Sequence, residues 1–288
     1  MLFTEESLFN KIEENLSKNL IYDKPDYNIN VLYSGGCDST LVLFDILVSL
    51  KSKNDGRDID AYCFTHGQLG HKVVMERKAR DSFLKHMKAN GYINNVIVHE
   101  IELPKEVIYA QRCGQPALWI SNILPLIRDK SLIYAGYHQG DCFLSYGVHR
   151  DWLKATTGLL NLYGKFDVEI TYPLQNASKE DILRRLRYER IYDFTWHCET
   201  VYASTETPCG NCAPCKLHRA SLHLIELDEA KLAEERAKYI VCSTDRDIPI
   251  TKDFKSEESV QETKDVLIKE LSCEMMSTDH DIIKEFSP

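Results

Sequence analysis

Two groups of residues have the types and spacing that chemistry needs. The first is the run Tyr33-Ser34-Gly35-Gly36-Cys37-Asp38-Ser39-Thr40-Leu41. An apolar, strand-like stretch (28–33) leads into it and a helix-like stretch (39–51) leads away. Two adjacent glycines let the backbone turn tightly and approach a ligand without a Cβ in the way. A helix that starts directly after them brings free N–H groups and the positive end of its dipole to the loop, which makes an anion site. Ser34, Ser39 and Thr40 add hydroxyl donors, and Asp38 can accept a backbone N–H or approach a magnesium ion held by phosphates. The run lacks the lysine of the Walker pattern and the three-glycine spacing of dinucleotide folds. The alternative is a polar turn that happens to contain two glycines.

The second group is four cysteines, Cys198, Cys209, Cys212 and Cys215, with ten, two and two residues between them. Four thiolates at such intervals can surround one zinc ion, and Cys209-Gly210-Asn211-Cys212 supplies the tight bend of a knuckle. An iron–sulfur cluster, or redox-active or simply buried cysteines, are the alternatives. The chain has ten cysteines in all. A disulfide framework fits them poorly, because residues 1–6 lack the basic start and cleavage site of an export signal and four cysteines cluster.

The chain has 288 residues, 43% of them hydrophobic and 27% charged, with a formal net charge of -9. That charge argues against broad nucleic-acid binding, which needs a basic face, but leaves room for a small anion in a local basic pocket. The apolar stretch from Leu41 to Leu50 is interrupted by Asp45 and too short to span a bilayer. No membrane association and a cytoplasmic location are expected.

The elements that must position these residues alternate. Strands are expected over 28–33, 58–65, 95–101, 131–136 and 168–174, and helices over 39–51, 71–90, 119–128, 152–163 and 178–188. Ser178 followed three residues later by Asp181 is a capping-box pattern. This is an α/β chain with a doubly wound, parallel, five-stranded sheet. Residues 1–27 read as a helical N-terminal extension, 28–194 as the ligand-binding domain, 195–243 as a knuckle followed by a helix (216–237), and 244–288 as an acidic extension with some helix over 260–275.

The string Ser-Gly-Gly-x-Asp-Ser between a strand and a helix resembles the PP-loop of ATP pyrophosphatases. That class includes NAD, GMP and asparagine synthetases, tRNA thiolases, lysidine synthetases and the QueC family. The resemblance implies ATP cleavage between the α- and β-phosphates, with pyrophosphate held by the loop and AMP placed on a substrate oxygen. It implies nucleotide contacts from residues 33–41, Phe64 backbone groups for adenine, and Lys179 after the fifth strand. The run Pro208-Cys-Gly-Asn-Cys-Ala-Pro-Cys-Lys216 resembles the QueC zinc knuckle. With Gly67-Gln68 and His71 after the second strand, the resemblance to QueC, the 7-cyano-7-deazaguanine synthase family, covers about residues 28–225.

That family adenylates 7-carboxy-7-deazaguanine for attack by ammonia and dehydrates the amide to the nitrile. The resemblance therefore implies ATP with Mg2+, one structural Zn2+, a deazapurine substrate, and Asp38, Ser39, Lys179, Asp141 and His71 as catalytic residues. Ser121 stands where the family carries an arginine, and the loop after Asp141, over 142–150, is rewritten and one residue longer. These departures admit an amine other than ammonia, including one on a protein partner, as in QueC-like proteins of antiphage defence operons. The reading also admits a homodimer. tRNA thiolation is a further alternative, against which the acidic charge weighs.

Overall fold

The computed structural model describes residues 24–66, 70–103, 115–138, 155–156, 158–165, 167–200 and 206–244. Five strands, β1 (Asn28–Leu32), β2 (Ile59–His66), β3 (Val96–Leu103), β4 (Ser131–Tyr134) and β5 (Val168–Thr171), form one parallel sheet in the order β3-β2-β1-β4-β5. Between them lie α1 (Cys37–Ser52), α2 (Gly70–Ala89) and α3 (Gln115–Ile123), followed after β5 by α4 (Lys179–Tyr188) and by α5 (Ala213–Thr244), whose first turn carries Cys215. The chain divides into two compact units, Met1–Cys209 and Gly210–Pro288. The α/β class and the parallel five-stranded sheet are as expected.

Burial explains the strand sequences. β1 is buried from its second residue to its last, as is all of β4, so both read as continuous apolar runs rather than alternating ones. Asn30 is the exception in β1. Its side-chain amide stays satisfied in the core by donating to the Leu132 carbonyl at 3.3 Å. On one face of the sheet Leu32, Tyr62, Ile133 and Tyr172 pack with Ile120, Ile123, Leu124 and Ile127 from α3 and the turn after it. In α1, Leu41, Val42, Leu43, Ile46, Leu47 and Leu50 are all at most 1% exposed, so this helix is apolar around nearly its whole circumference.

The strand order sets the position of the site. From β1 the chain winds outward through β2 and β3, then returns to β4 on the other side of β1. A parallel sheet opens a crevice at such a reversal, beyond the carboxyl ends of the two strands. The glycine loop leaves β1 there. Gly136 leaves β4 there, so close that a Cβ on it would lie 2.9 Å from the backbone of Asp38 and Ser39. Neither backbone can yield cheaply. Gly136→Ala is therefore expected to lower stability by about 1–3 kcal/mol, read as a shift of the urea midpoint at unchanged slope. An unshifted midpoint would show that β4 does not pack against α1 this tightly.

Element boundaries differ from the expected ones where proline acts. α3 covers 115–123 rather than 119–128. Pro116 suits a first turn, where its missing N–H is not needed, and Pro125 cannot continue a helix, so both ends move toward the N-terminus. β5 stops at Thr171, two residues before Pro173, rather than running to 174. Residues 155–156 and 158–162 are helical, within the helix expected over 152–163. α5 is longer than expected, 32 residues from Ala213. Residues 1–23 of the expected helical N-terminal extension and the helix expected over 260–275 lie outside the described residues.

Candidate functional site

The loop after β1 is held open as an anion site would be. Gly36 is the N-cap of α1, with extended backbone and no side-chain capping bond, so no side chain of the cap covers the first turn. Within the loop, Ser34 Oγ accepts the Gly36 N–H at 3.1 Å and lies 3.2 Å from Ser39 Oγ. The Ser39 hydroxyl also donates to the Gly36 carbonyl at 3.3 Å. Tyr33, Cys37, Thr40 and Leu41 are at most 2% exposed, so what they can offer a ligand is backbone. Burial pushes the Cys37 thiol up, and its Sγ sits 3.3 Å from Thr195 Oγ1. Despite its place at a helix N-terminus, this is a packed thiol and not a nucleophile.

Lys179 meets the loop from the other side of the crevice. The capping box is formed: Ser178 Oγ accepts the Asp181 N–H at 3.1 Å and Asp181 Oδ2 accepts the Ser178 N–H at 3.0 Å. The cap makes Lys179 the first residue of α4. A cation there opposes the helix dipole. It is held by Asp38, whose two carboxylate oxygens lie 2.7 and 2.9 Å from Lys179 Nζ. Burial alone would raise the Asp38 carboxyl, but the Lys179 ammonium and then His138 outweigh it and hold it below the ordinary range. A local rule broken at one residue, with its compensation 141 positions away in sequence, makes Lys179 a candidate functional group.

The other expected residues are distributed as follows. β2 runs to His66, whereas β1 ends at Leu32 opposite Tyr62, so the β2 backbone from Phe64 outruns β1 above the loop. The Phe64 ring stacks on Trp119 at 5.6 Å, and Trp119 in turn stacks on Tyr137 at 6.2 Å. His71 lies in the first turn of α2, its ring edge-on to Trp196 at 6.1 Å and its Nε2 buried without a hydrogen bond among the described residues. Asp141 and the rewritten loop over 142–150 lie outside the described residues. Ser121, expected from the resemblance to stand in place of an arginine, is exposed on α3.

Three residues were missed by sequence reasoning. Arg80, 2% exposed on α2, donates to the Ser34 carbonyl at 2.8 Å. The Trp196 backbone N–H donates to the Gly35 carbonyl at 2.9 Å, and its indole N–H to the Cys198 carbonyl at 2.8 Å. His197, near Lys179, is pushed down to about 4 by burial and then by that ammonium, so its imidazole is neutral at pH 7. Only Arg80 left a signal. It stands three and seven residues before the buried Phe83 and Met87, on a helix face that should be apolar.

The sulfurs of Cys198, Cys209, Cys212 and Cys215 lie within 4.8 Å of one another. A single tetrahedral ion at about 2.3 Å from each thiolate spaces its ligands about 3.8 Å apart, so the donor set and its spacing fit one metal ion. The Cys209 N–H donates to Cys198 Sγ at 3.3 Å and the Thr200 hydroxyl donates to Cys209 Sγ at 2.9 Å, bonds of the kind that orient metal-ligating sulfurs.

A family model described as queuosine biosynthesis protein QueC matches residues 120–226. The 7-cyano-7-deazaguanine synthase of Caldicellulosiruptor bescii is 25% identical over 64% of this chain and 87% of its own. That of Gloeothece citriformis is 27% identical over 71% and 94%. Over these spans the chain is similar to the QueC family at low identity. The cysteine cluster falls inside the matched span, and the glycine loop lies before it. Among solved structures, the U34-tRNA thiolase NcsA from Methanococcus maripaludis with its 4Fe-4S cluster matches at 15% identity and a TM-score of 0.47, covering 78% of this chain and 82% of that one. That likeness is too loose to bear on metal or substrate. Among the described residues, no helix is long and apolar enough to cross a membrane.

Proposed function

We propose that this chain is a QueC-like, ATP-dependent C–N ligase that activates a 7-deazaguanine carboxylate. The observation that carries the reading is the uncapped start of α1 facing the Lys179–Asp38 pair at the crevice. A carboxylate oxygen of the substrate attacks the α-phosphorus of ATP and pyrophosphate leaves. The negative charge that develops on the leaving group is met by loop N–H groups, by the Ser39 hydroxyl and by Lys179, all in place before the reaction. An amine then attacks the acyl carbon and AMP departs.

Asp38 is the loop carboxylate that would hold a magnesium ion arriving with the nucleotide, and the ion would supply charge neutralisation at the phosphates. Zinc at the four cysteines leaves no open position for substrate, so its contribution is to hold the knuckle. His71 and Asp141 complete the proposed catalytic set.

The amine is the open half of the reaction. Ammonia gives the amide and, after a second activation, the nitrile. The rewritten loop over 142–150 favours a second reading in which the amine belongs to a protein partner. Incubation with ATP, magnesium and 7-carboxy-7-deazaguanine, with and without ammonium, followed by mass spectrometry of small molecules and of co-expressed protein, separates these. AMP with an amide or nitrile is the expected result. AMP with a mass increase on protein selects the second reading. No AMP with any deazapurine carboxylate sinks both.

A further inference from the structure

We propose that Arg80 is a positioning residue for the PP-loop: it turns the Ser34–Gly35 peptide so that the Gly35 N–H faces the anion. The inference rests on the loop's binding the phosphates of ATP.

In a trans peptide the carbonyl and the following N–H point in opposite directions. The Ser34 carbonyl is drawn toward α2 by Arg80 Nη1 at 2.8 Å, so the Gly35 N–H is turned away from α2. The next carbonyl, that of Gly35, is drawn by the Trp196 N–H at 2.9 Å, which turns the Gly36 N–H away from Trp196. Two consecutive carbonyls are thus tied back from outside the loop. The Gly36 N–H on the other side is taken by Ser34 Oγ at 3.1 Å, so the Gly35 N–H is the group this tethering turns toward an anion, beside the uncapped first turn of α1. Gly35 has φ +91, which makes this turn available to glycine and not to other residues.

The guanidinium is aimed by its surroundings. Arg80 Nη2 donates to Glu100 Oε1 on β3 at 2.6 Å. Arg77 holds that same carboxylate with two bonds, at 3.0 and 2.5 Å, so Glu100 has little freedom to swing. The Arg80 stem fills the space under the loop, its Cγ lying 2.9 Å from where a Cβ on Gly35 would stand. One buried side chain therefore links β3, α2 and the loop by its two ends. A planar guanidinium can serve a carbonyl and a carboxylate together in fixed directions, and an ammonium cannot.

Arg80→Lys keeps the charge and most of the stem but loses the fork. Titration calorimetry of the full chain with inorganic pyrophosphate and magnesium, with ATP, and with AMP tests the aim of the loop apart from the integrity of the fold. The expected result is about tenfold or greater weakening for pyrophosphate and ATP, the scale of one lost charge-assisted bond, with AMP affinity unchanged. Unchanged pyrophosphate affinity, or equal weakening for AMP, overturns the proposal. A wild-type chain that binds neither ATP nor pyrophosphate overturns the nucleotide reading itself. Should Arg80→Lys not fold, Glu100→Gln carries the same test. It loosens the aim while leaving the guanidinium in place, with a smaller selective loss for pyrophosphate expected and no loss overturning the proposal.

Discussion

Lys179→Met is expected to lower AMP release by about 100- to 1,000-fold, the usual cost of removing one preorganised donor to developing charge. Lys179 is the cation that a fixed helix start delivers to the loop carboxylate, and methionine preserves its length without its charge. A second signature separates this from a mere packing defect. In the wild type the Asp38 carboxyl is held below its ordinary range, so the ion pair adds stability above the unfolded carboxylate pKa and loses it as pH falls through the lowered folded value. Without Lys179 the burial that opposes the charge is countered only by His138 and the backbone. The variant should then be less stable than wild type by about 1–3 kcal/mol at neutral pH, with the gap closing in acid. Denaturant melts at pH 7 and at about pH 2 read this directly, because the folded value lies below the ordinary carboxylate value of about 4. A gap that is the same at both pH values, or AMP release within a few-fold of wild type, refutes the role given to the pair.

Cys212→Ser should have the largest effect on integrity. Structural zinc sites hold their metal with about 10–16 kcal/mol of binding free energy in small peptides near neutral pH. Here the knuckle lies within a chain that has a separate sheet core, so only part of that appears as lost stability. A melting temperature lowered by about 10 °C, corresponding to several kcal/mol in a domain of this size, or outright insolubility, is expected. Metal analysis of the wild type should return one zinc per chain, and the variant substantially less. Iron in the wild type replaces zinc with a cluster; no metal in a soluble, well-folded wild type rejects a metal centre altogether.

How much of this is legible in the sequence varies by element. The glycine loop, its strand and its helix follow from local steric rules, so residues 34–39 can be read directly. The capping box at Ser178 is legible for the same reason, because every bond in it closes within four residues. In α3 the apolar spacing runs on through Pro125 and points to a later helix than the one that forms, because proline's missing donor overrides periodicity. The resemblance implies Lys179 as a site residue, but its contact with Asp38 comes from the fold alone, since nothing local connects positions 141 residues apart.

Propensity, turn chemistry and ligand spacing are local properties. The order of amino acids therefore already carries the alternation of strands and helices, a loop able to take an anion, and thiolates able to take a metal ion. Which of these meet is a matter of long-range packing. The order β3-β2-β1-β4-β5 puts the β1 and β4 exits at one crevice. Packing sets Gly136 against α1 and buries Arg80 beneath the loop, where its guanidinium reaches the Ser34 carbonyl. Contacts of this kind depend on how burial is shared among elements that are distant in sequence, and no single segment specifies that.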